Sequence, residues 1–190
     1  MKEQFKKLVL QHQNAVTETF TPDQLDILVK ITLMLTASLN KGHKLMLCGN
    51  GGSAADSQHI AAEFISRYKL ERQSIPAIAL TTDTSILTAT ANDYAFDKVF
   101  SRQVEGLGQK GDVLIAISTS GNSANIMHAV AAANKKGIQT IGFTGQSGGT
   151  LKDAVDVCFH AQTDDTPHIQ EIHIIALHAI SDIVEKAMAS

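Results

Sequence analysis

His59 and Glu63 are the first side chains in this sequence whose types and spacing suit chemistry. They lie four residues apart in the segment SAADSQHIAAEFISRY, which has a helical pattern, so both would lie on one helix face. An imidazole and a carboxylate in this arrangement can supply two metal ligands, or one ligand and one general base. The same pair is also common on solvated helix surfaces, so residue types alone leave these alternatives open.

A second group of reactive residue types is the run STSGNS at 118–123. It follows a strand-like segment and opens a helix, where free backbone N–H groups and the helix dipole favour an anion. Four hydroxyls add neutral donors: Ser118, Thr119, Ser120 and Ser123. We predict phosphate-monoester binding here rather than simple helix capping. The loop has no Lys and lacks the G-x-x-x-x-G-K-[ST] pattern, which argues against a nucleoside triphosphate.

The run GNGGS at 49–53 also joins a strand-like segment to a helix. Its glycines suit a tight turn as well as a ligand-binding loop. Gly49 and Gly51 match the start of the dinucleotide pattern G-x-G-x-x-G, but Ala54 stands at its last position, so NAD is a poor fit. Ligands bind beyond the carboxyl ends of parallel strands, so both loops are candidates for one site.

The last helix carries further polar side chains in apolar surroundings: Gln170, Glu171, His173 and His178. We predict that His173 is a hydrogen-bonded core residue. Gln170 and His178 are separated by about 12 Å along an ideal helix. Spacing alone therefore does not join them to His59 and Glu63.

Five short apolar runs alternate with helical segments and would position these loops. The runs are KLMLCG, PAIALT, DVLIAIS, QTIGFTG and VDVCFHA. Such alternation predicts an α/β three-layer sandwich, with a five-stranded parallel sheet and helices on both faces. Two helices, over 2–19 and 22–41, come first and either cap the sheet or form a subunit interface. We predict a single domain over 1–190, made of a helical pair (1–41) and an α/β core (42–190).

The bulk composition limits the function classes. The chain has 190 residues, 44% of them hydrophobic, and a formal charge of −3, so it has no basic footprint for nucleic acid or membrane. Two cysteines make no disulfide framework, which favours a reducing cytoplasm. The N-terminal stretch has no signal-peptide core, and no run of about 18 apolar residues occurs. We expect a soluble cytoplasmic protein.

Several motifs together, in order and over most of the chain, carry a family resemblance. They are CGNGGSAADSQHIAAE, AND at 91–93, GDVLIAISTSGNSANI, TGQSGG and IQEIHIIALH. The chain resembles the bacterial phosphoheptose (sedoheptulose 7-phosphate) isomerases, which are members of the SIS (sugar isomerase) domain family with a flavodoxin-like fold. It departs from many members at His168, where they carry Arg, and Pro167 precedes it.

The resemblance implies a homotetramer with active sites between subunits and one zinc ion per subunit. The zinc ligands would be His59, Glu63, Gln170 and His178. The phosphate would lie on Ser118, Thr119, Ser120 and Ser123. The sugar would be held by Asn50, Gly51, Gly52, Ser53, Glu63, Asn92, Asp93 and Gln170. With Glu63 as base and His178 as acid, an enediol route would produce D-glycero-D-manno-heptose 7-phosphate for lipopolysaccharide heptose.

Two other functions are compatible with a SIS domain. A related non-enzymatic protein binds the bacterial replication initiator, but it lacks the carboxylate and final histidine that this chain has at Glu63 and His178. Sugar-phosphate-sensing regulators usually carry an added helix-turn-helix module. The N-terminal 40 residues or so are two plain helices with little basic character, which disfavours a regulator.

Overall fold

The structure is a computed structural model that describes residues 1–189. Its helices are α1 (Lys2–Thr19), α2 (Pro22–Leu39), α3 (Gly52–Ile65), α4 (Thr84–Asp93), α5 (Ser101–Leu107), α6 (Ala124–Lys136) and α7 (Thr166–Met188). Its strands are β1 (Leu45–Cys48), β2 (Ala77–Ala79), β3 (Val113–Ile117), β4 (Gln139–Thr144) and β5 (Val157–His160). Short 3₁₀ turns occur at Phe96–Lys98 and Leu151–Asp153.

The strands form one parallel sheet in the order β2-β1-β3-β4-β5 across the described residues. This confirms the predicted five-stranded parallel sheet and is the strand order of flavodoxin-like folds. The chain runs from β1 outward to β2, then crosses to β3 on the other side of β1. The reversal places a topological switch point between the carboxyl ends of β1 and β3, where open α/β sheets bind ligands.

The two faces of the sheet are covered by separate hydrophobic clusters. In β1, Leu45 and Leu47 point to the cluster under α2, α3 and α7, whereas Met46 and Cys48 point to the cluster under α5 and α6. All four side chains have no solvent exposure. Burial on both sides explains why the strands read as continuous apolar runs rather than as alternating ones. Both cysteines are free thiols.

The helices differ from the sequence-based expectation in three places. Helix α4 was not predicted, because TSILTATAND is rich in threonine, which has weak helix propensity. Asp83 caps this helix by accepting a hydrogen bond from the Ile86 N–H at 2.9 Å. The segment DKVFSRQVEGLG has the sequence pattern of one helix, but in the structure it is a 3₁₀ turn followed by the short α5. Helix α2 ends at Leu39 rather than at residue 41.

The two N-terminal helices pack against α7 on one side of the sheet. Helix α2 buries Ile31 and Leu35 completely, whereas α1 buries only Ala15 and Thr19 among its residues. The division at residue 42 stays a prediction, and Ser190, the last residue of the predicted domain, lies outside the described residues. None of the helices between residues 1 and 189 combines the length and apolarity that a bilayer crossing needs.

Candidate active site

Two loops leave the sheet at its switch point, one after β1 and one after β3. In the first loop, Gly51 has a φ of +56° and directly precedes the start of α3 at Gly52. In the second, Gly121 has a φ of +66°. A side chain would be strained at either position, so both loops need glycine for their backbone path.

A reciprocal amide pair ties these two loops together. The Asn50 side-chain amide donates to Asn125 Oδ1 at 2.9 Å, and the Asn125 amide donates to Asn50 Oδ1 at 2.8 Å. Asn125 lies in the first turn of α6 and is 4% exposed. Sequence reasoning missed Asn125, although its place just after STSGNS was a usable signal.

The hydroxyls of the loop over residues 118–123, the hydroxyl loop, converge on one another. Ser118 Oγ lies 3.0 Å from Ser123 Oγ and 3.5 Å from Ser120 Oγ, and the Asn122 N–H donates to Ser120 Oγ at 3.2 Å. Ser118 is buried, whereas Ser120 is exposed. The loop therefore offers O–H groups from a largely neutral environment at the start of α6.

Backbone hydrogen bonds connect the hydroxyl loop to the segment over residues 145–151. The Gly145 N–H donates to the Thr119 carbonyl at 2.9 Å, and the Leu151 N–H donates to the Gly121 carbonyl at 2.9 Å. A Cβ on Gly121 would overlap the carbonyl group of Gly148. Between the two segments lies a cavity of about 410 Å³. It is lined by Thr119, Ser120, Asn122, Gly145, Gln146, Ser147, Thr163, Asp164, Thr166 and Ile169.

His59, Glu63 and His178 form a compact cluster between α3 and α7. Their candidate ligand atoms all lie within 4.8 Å of one another. His59 Nε2 is 3.1 Å from Glu63 Oε1 and 3.4 Å from His178 Nε2. The structure thus brings together three residues that sequence spacing alone did not join.

The surroundings of His178 favour its neutral form. Partial burial and the charges of His59 and Lys69 lower the pKa of His178, while the charge of the Glu63 carboxylate raises it. The Tyr68 ring lies 5.6 Å from the His178 ring. A neutral imidazole can both accept and donate a proton, which is the property that a general acid–base group needs.

The segment carrying Tyr68 is held in place by a buried carboxylate. Glu185 accepts hydrogen bonds from the backbone N–H groups of Tyr68, Lys69 and Leu70, at 2.8, 2.7 and 2.9 Å. It also pairs with the buried Arg72 guanidinium at 3.1 Å. Burial alone would raise the pKa of Glu185, but these donors bring it below its usual value.

Gln170 lies apart from this cluster, at the first loop. A Cβ built on Gly52 would lie 2.5 Å from Gln170 Nε2, so the Gln170 amide packs directly on the start of α3. Within residues 1–189, Gln170 makes no hydrogen bond to His59, Glu63 or His178. The structure therefore associates Gln170 with the GNGGS loop and His178 with the histidine–carboxylate pair.

Asn92 and Asp93 lie at the exposed carboxyl end of α4. The Asn92 amide donates to Asp93 Oδ1 at 2.8 Å. Across the described chain, neither side chain is hydrogen-bonded to the two loops. The hydrogen bonds of the single chain over residues 1–189 thus do not connect Asn92 and Asp93 to the two loops.

Asp56 is a further ionisable residue near the cluster that sequence reasoning missed. It lies one helical turn before His59, and its Oδ2 is buried without a hydrogen-bond partner among residues 1–189. Burial raises the pKa of Asp56 to about 6, while the charge of His59 works against this rise. The i, i+3 spacing to His59 was the signal available in the sequence.

His173 occupies the core, as predicted. It has no solvent exposure, and its Nε2 donates to the Thr144 carbonyl at 3.0 Å. Burial lowers its pKa to about 4. The bond anchors α7 to the carboxyl end of β4.

Comparisons with known proteins agree with this fold. The model of the SIS domain family matches residues 10–145, which defines the class of protein. The phosphoheptose isomerase of Roseiflexus sp. is 54% identical over 165 residues, covering 87% of this chain and 84% of that relative. The phosphoheptose isomerase of Aliarcobacter butzleri is 48% identical over 189 residues, covering 100% of both chains.

A solved structure supports the same assignment. Phosphoheptose isomerase GmhA from Neisseria gonorrhoeae superposes with a TM-score of 0.92 at 40% identity, covering 97% of this chain and 98% of that one. The chain belongs to the phosphoheptose isomerase family of SIS domain proteins.

Proposed function

We propose that this protein interconverts sedoheptulose 7-phosphate and D-glycero-D-manno-heptose 7-phosphate in the cytoplasm, as the first step toward ADP-heptose for lipopolysaccharide. The observation that carries the proposal is the Asn50–Asn125 bridge between two candidate ligand loops, in a chain that also assembles the His59–Glu63–His178 cluster. The chain thus supplies an anion site at the ends of β1 and β3, and acid–base groups between α3 and α7. The family membership supports the same reaction class.

The substrate phosphate binds the hydroxyl loop. The groups that hold it are Ser118, Thr119, Ser120 and Ser123, together with N–H groups at the start of α6. Neutral donors and a helix terminus suit a monoester phosphate. Because this contact is remote from the reacting carbons, its binding energy fixes the sugar in register with the acid–base groups.

The sugar hydroxyls extend from the phosphate toward the first loop. The residues that contact them are Asn50, Gly51, Gly52, Ser53, Glu63, Asn92, Asp93 and Gln170. The position of Gln170 against Gly52 supports this path, since it places an amide beside the loop. The exposure of Asn92 and Asp93 in a single chain fits an active site that lies between subunits.

The donor set of the cluster fits a zinc ion. Two imidazoles and a carboxylate with ligand atoms within 4.8 Å are the groups that zinc prefers. The proposed ligands are His59, Glu63, Gln170 and His178. When bound, the zinc would supply Lewis-acid polarisation of the sugar carbonyl and hydroxyl oxygens.

The proton transfers are carried by Glu63 and His178. The Glu63 carboxylate removes the proton from the carbon next to the carbonyl, which produces an enediol, and returns it to the adjacent carbon. His178 moves the accompanying proton between the two oxygens, for which its lowered pKa is suited. A carboxylate shared with a cation is a weaker base, so Glu63 acts most strongly when it is loosely held.

The proposed assembly is a homotetramer with active sites between subunits. Exposed apolar side chains on α1, α2 and α7 support an interface there: Phe5, Leu8, Leu25, Val29, Leu33 and Ile183. An apolar cavity of about 290 Å³ lies between α2 and α7. Because His178 already lies with His59 and Glu63 within one chain, association would have to bring in only Gln170 from a neighbour, which removes the difficulty of its spacing from His178 along one helix.

The non-enzymatic alternative, a protein that binds the replication initiator, is not favoured. The acid–base pair Glu63 and His178 is present and assembled with His59. The similar proteins reported above are named as isomerases, and the similarity covers nearly their whole length.

The test is proton NMR of the zinc-loaded protein with sedoheptulose 7-phosphate. We expect aldoheptose anomeric signals to appear and to be lost after treatment with a chelator. Persistence of the ketose in the presence of bound phosphosugar would contradict the proposed activity and direct attention to a binding function.

A further inference from the structure

A second cluster of metal-ligating side chains lies between α1 and α7, apart from the candidate active site. It consists of His12 on α1 and of His168 and Glu171, which are three residues apart on α7. One ligand atom from each lies within 4.8 Å of the others. The His12 and His168 ring centroids are 5.5 Å apart. We propose that these three residues bind a second Zn²⁺ ion, which fastens α1 to the first turns of α7.

The types of donor fit zinc. Two imidazoles and one carboxylate are a common three-residue zinc set, with water as the fourth ligand. Ligand atoms on one tetrahedral zinc are about 3.3 Å apart, given bonds of about 2.0–2.1 Å. His12 Nδ1 and Glu171 Oε2 are 2.6 Å apart, so the carboxylate needs only a small movement to admit the ion.

The His12 ring nitrogen provides an independent observation. Nδ1 is buried, and although Glu171 Oε2 is close, the contact lacks the alignment of a hydrogen bond. The in-plane direction of this nitrogen, along which a metal would bind, is thus not used by a partner among residues 1–189. A buried polar atom without a hydrogen-bond partner needs an explanation, and a bound cation provides one.

The cluster is separate from the His59–Glu63–His178 site. His168 and His178 are ten residues apart on α7, or about 15 Å along the helix axis. One ion cannot be shared over that distance, so two zinc sites would lie at different levels of the same helix.

The second ion would fix a weakly attached element. Residues 1–11 are all exposed in this structure, and among α1 residues only Ala15 and Thr19 are buried. His12 is the first residue of α1 that is partly buried against the rest of the fold. Because Glu171 directly follows Gln170, the ion would also connect α1 to the turn that packs on Gly52.

The test measures zinc bound per chain in a background without the first cluster. In the variant His59→Ala/His178→Ala, dialysed against buffered Zn²⁺, we expect one ion per chain by elemental analysis. Adding His12→Gln should remove it. The matched control is His128→Gln, which removes a histidine that lies 3.6 Å from the Asp97 carboxylate but belongs to no three-residue cluster in the described chain. It should leave the ion in place.

A second measurement does not depend on those alanine replacements. In the otherwise unaltered chain, His12→Gln should reduce bound zinc by one ion and remove part of the rise in melting temperature that Zn²⁺ causes. If the double variant binds no zinc while folded, or if His12→Gln leaves the zinc content of the unaltered chain unchanged, the second site does not exist. Neither readout requires turnover, so failure of the isomerase proposal would be seen separately.

Discussion

Asn50 and Asn125 exchange two side-chain hydrogen bonds, of 2.9 and 2.8 Å, across the switch point of the sheet. Asn50 belongs to the loop after β1 and Asn125 to the first turn of α6. Because each amide satisfies the other, the two loops can keep one relative position without ligand. The GNGGS loop and the hydroxyl loop are in this way preorganised as a unit.

Asn125→Asp is predicted to separate the two loops. The change replaces the donor Nδ2 by an oxygen facing Asn50 Oδ1, and it does so at a site that is 4% exposed. We expect a loss of about 1–3 kcal/mol in unfolding free energy, measured by urea denaturation. The KM for sedoheptulose 7-phosphate should rise more than kcat falls, because positioning of the substrate is what suffers.

The control for this change is Asn134→Asp on the same helix. Asn134 donates to the Ala154 carbonyl at 3.0 Å, away from the two loops. The Asn134→Asp variant should have a slightly lower unfolding free energy and an unchanged KM. Equal effects of both variants on KM would mean that the Asn50–Asn125 bond is not what holds the loops.

Gly52→Ala is predicted to reduce turnover without unfolding the protein. The added methyl group would lie 2.5 Å from Gln170 Nε2, the mobile end of a long side chain, so Gln170 is displaced rather than the backbone. Alanine is better than glycine in a helix by up to about 1 kcal/mol, which offsets part of the crowding. A displacement near 1 Å can cost on the order of a hundredfold in rate.

The measurement for Gly52→Ala is kcat beside the melting temperature. Gly106→Ala is the matched control, because Gly106 is also helical and a Cβ there meets nothing within 4 Å. The control should keep full activity. A fully active Gly52→Ala variant would mean that Gln170 does not need its observed position.

Glu63→Gln is predicted to abolish most turnover and to spare phosphate binding. The amide cannot remove a proton from carbon, so we expect kcat to fall by roughly 10²–10⁴-fold. Inorganic phosphate should still bind the hydroxyl loop with unchanged affinity in titration calorimetry. The control is Glu71→Gln, since Glu71 lies outside α3 and its side chain is 90% exposed. Near-normal rates in Glu63→Gln would rule out this carboxylate as the base.

The sheet could be predicted well from the sequence because a strand buried on both faces is visible as a local run of apolar residues. The strand VLIAI within DVLIAIS is apolar throughout, as is typical of strands buried on both faces. Helix α4 escaped prediction because its threonines have weak helix propensity and its stability comes from the Asp83 cap and from packing. The packing is tertiary information, whereas the cap is local, and a periodicity analysis contains neither of them.

The candidate site was predictable only in parts. The i, i+4 spacing placed His59 and Glu63 on one face, but nothing local links them to His178, which is 119 residues away from His59 along the chain. The packing of α3 against α7 creates that contact. Asn125 and Asp56 each had a signal in the sequence, but the partner of Asn125 and the buried oxygen of Asp56, unpartnered within residues 1–189, are visible only in the fold.

The last prediction concerns pH and His173. Burial lowers the pKa of this histidine to about 4, from an ordinary 6.5. Below pH 6.5 the unfolded chain takes up a proton that the folded chain accepts only near pH 4, so stability is lost as the pH falls through this window. The loss reaches about 3 kcal/mol. His173→Gln keeps a donor for the Thr144 carbonyl but cannot be protonated, so its unfolding free energy should fall less between pH 6.5 and 4 than that of the parent. Parallel pH profiles in urea denaturation would show that the buried imidazole is not a source of acid lability.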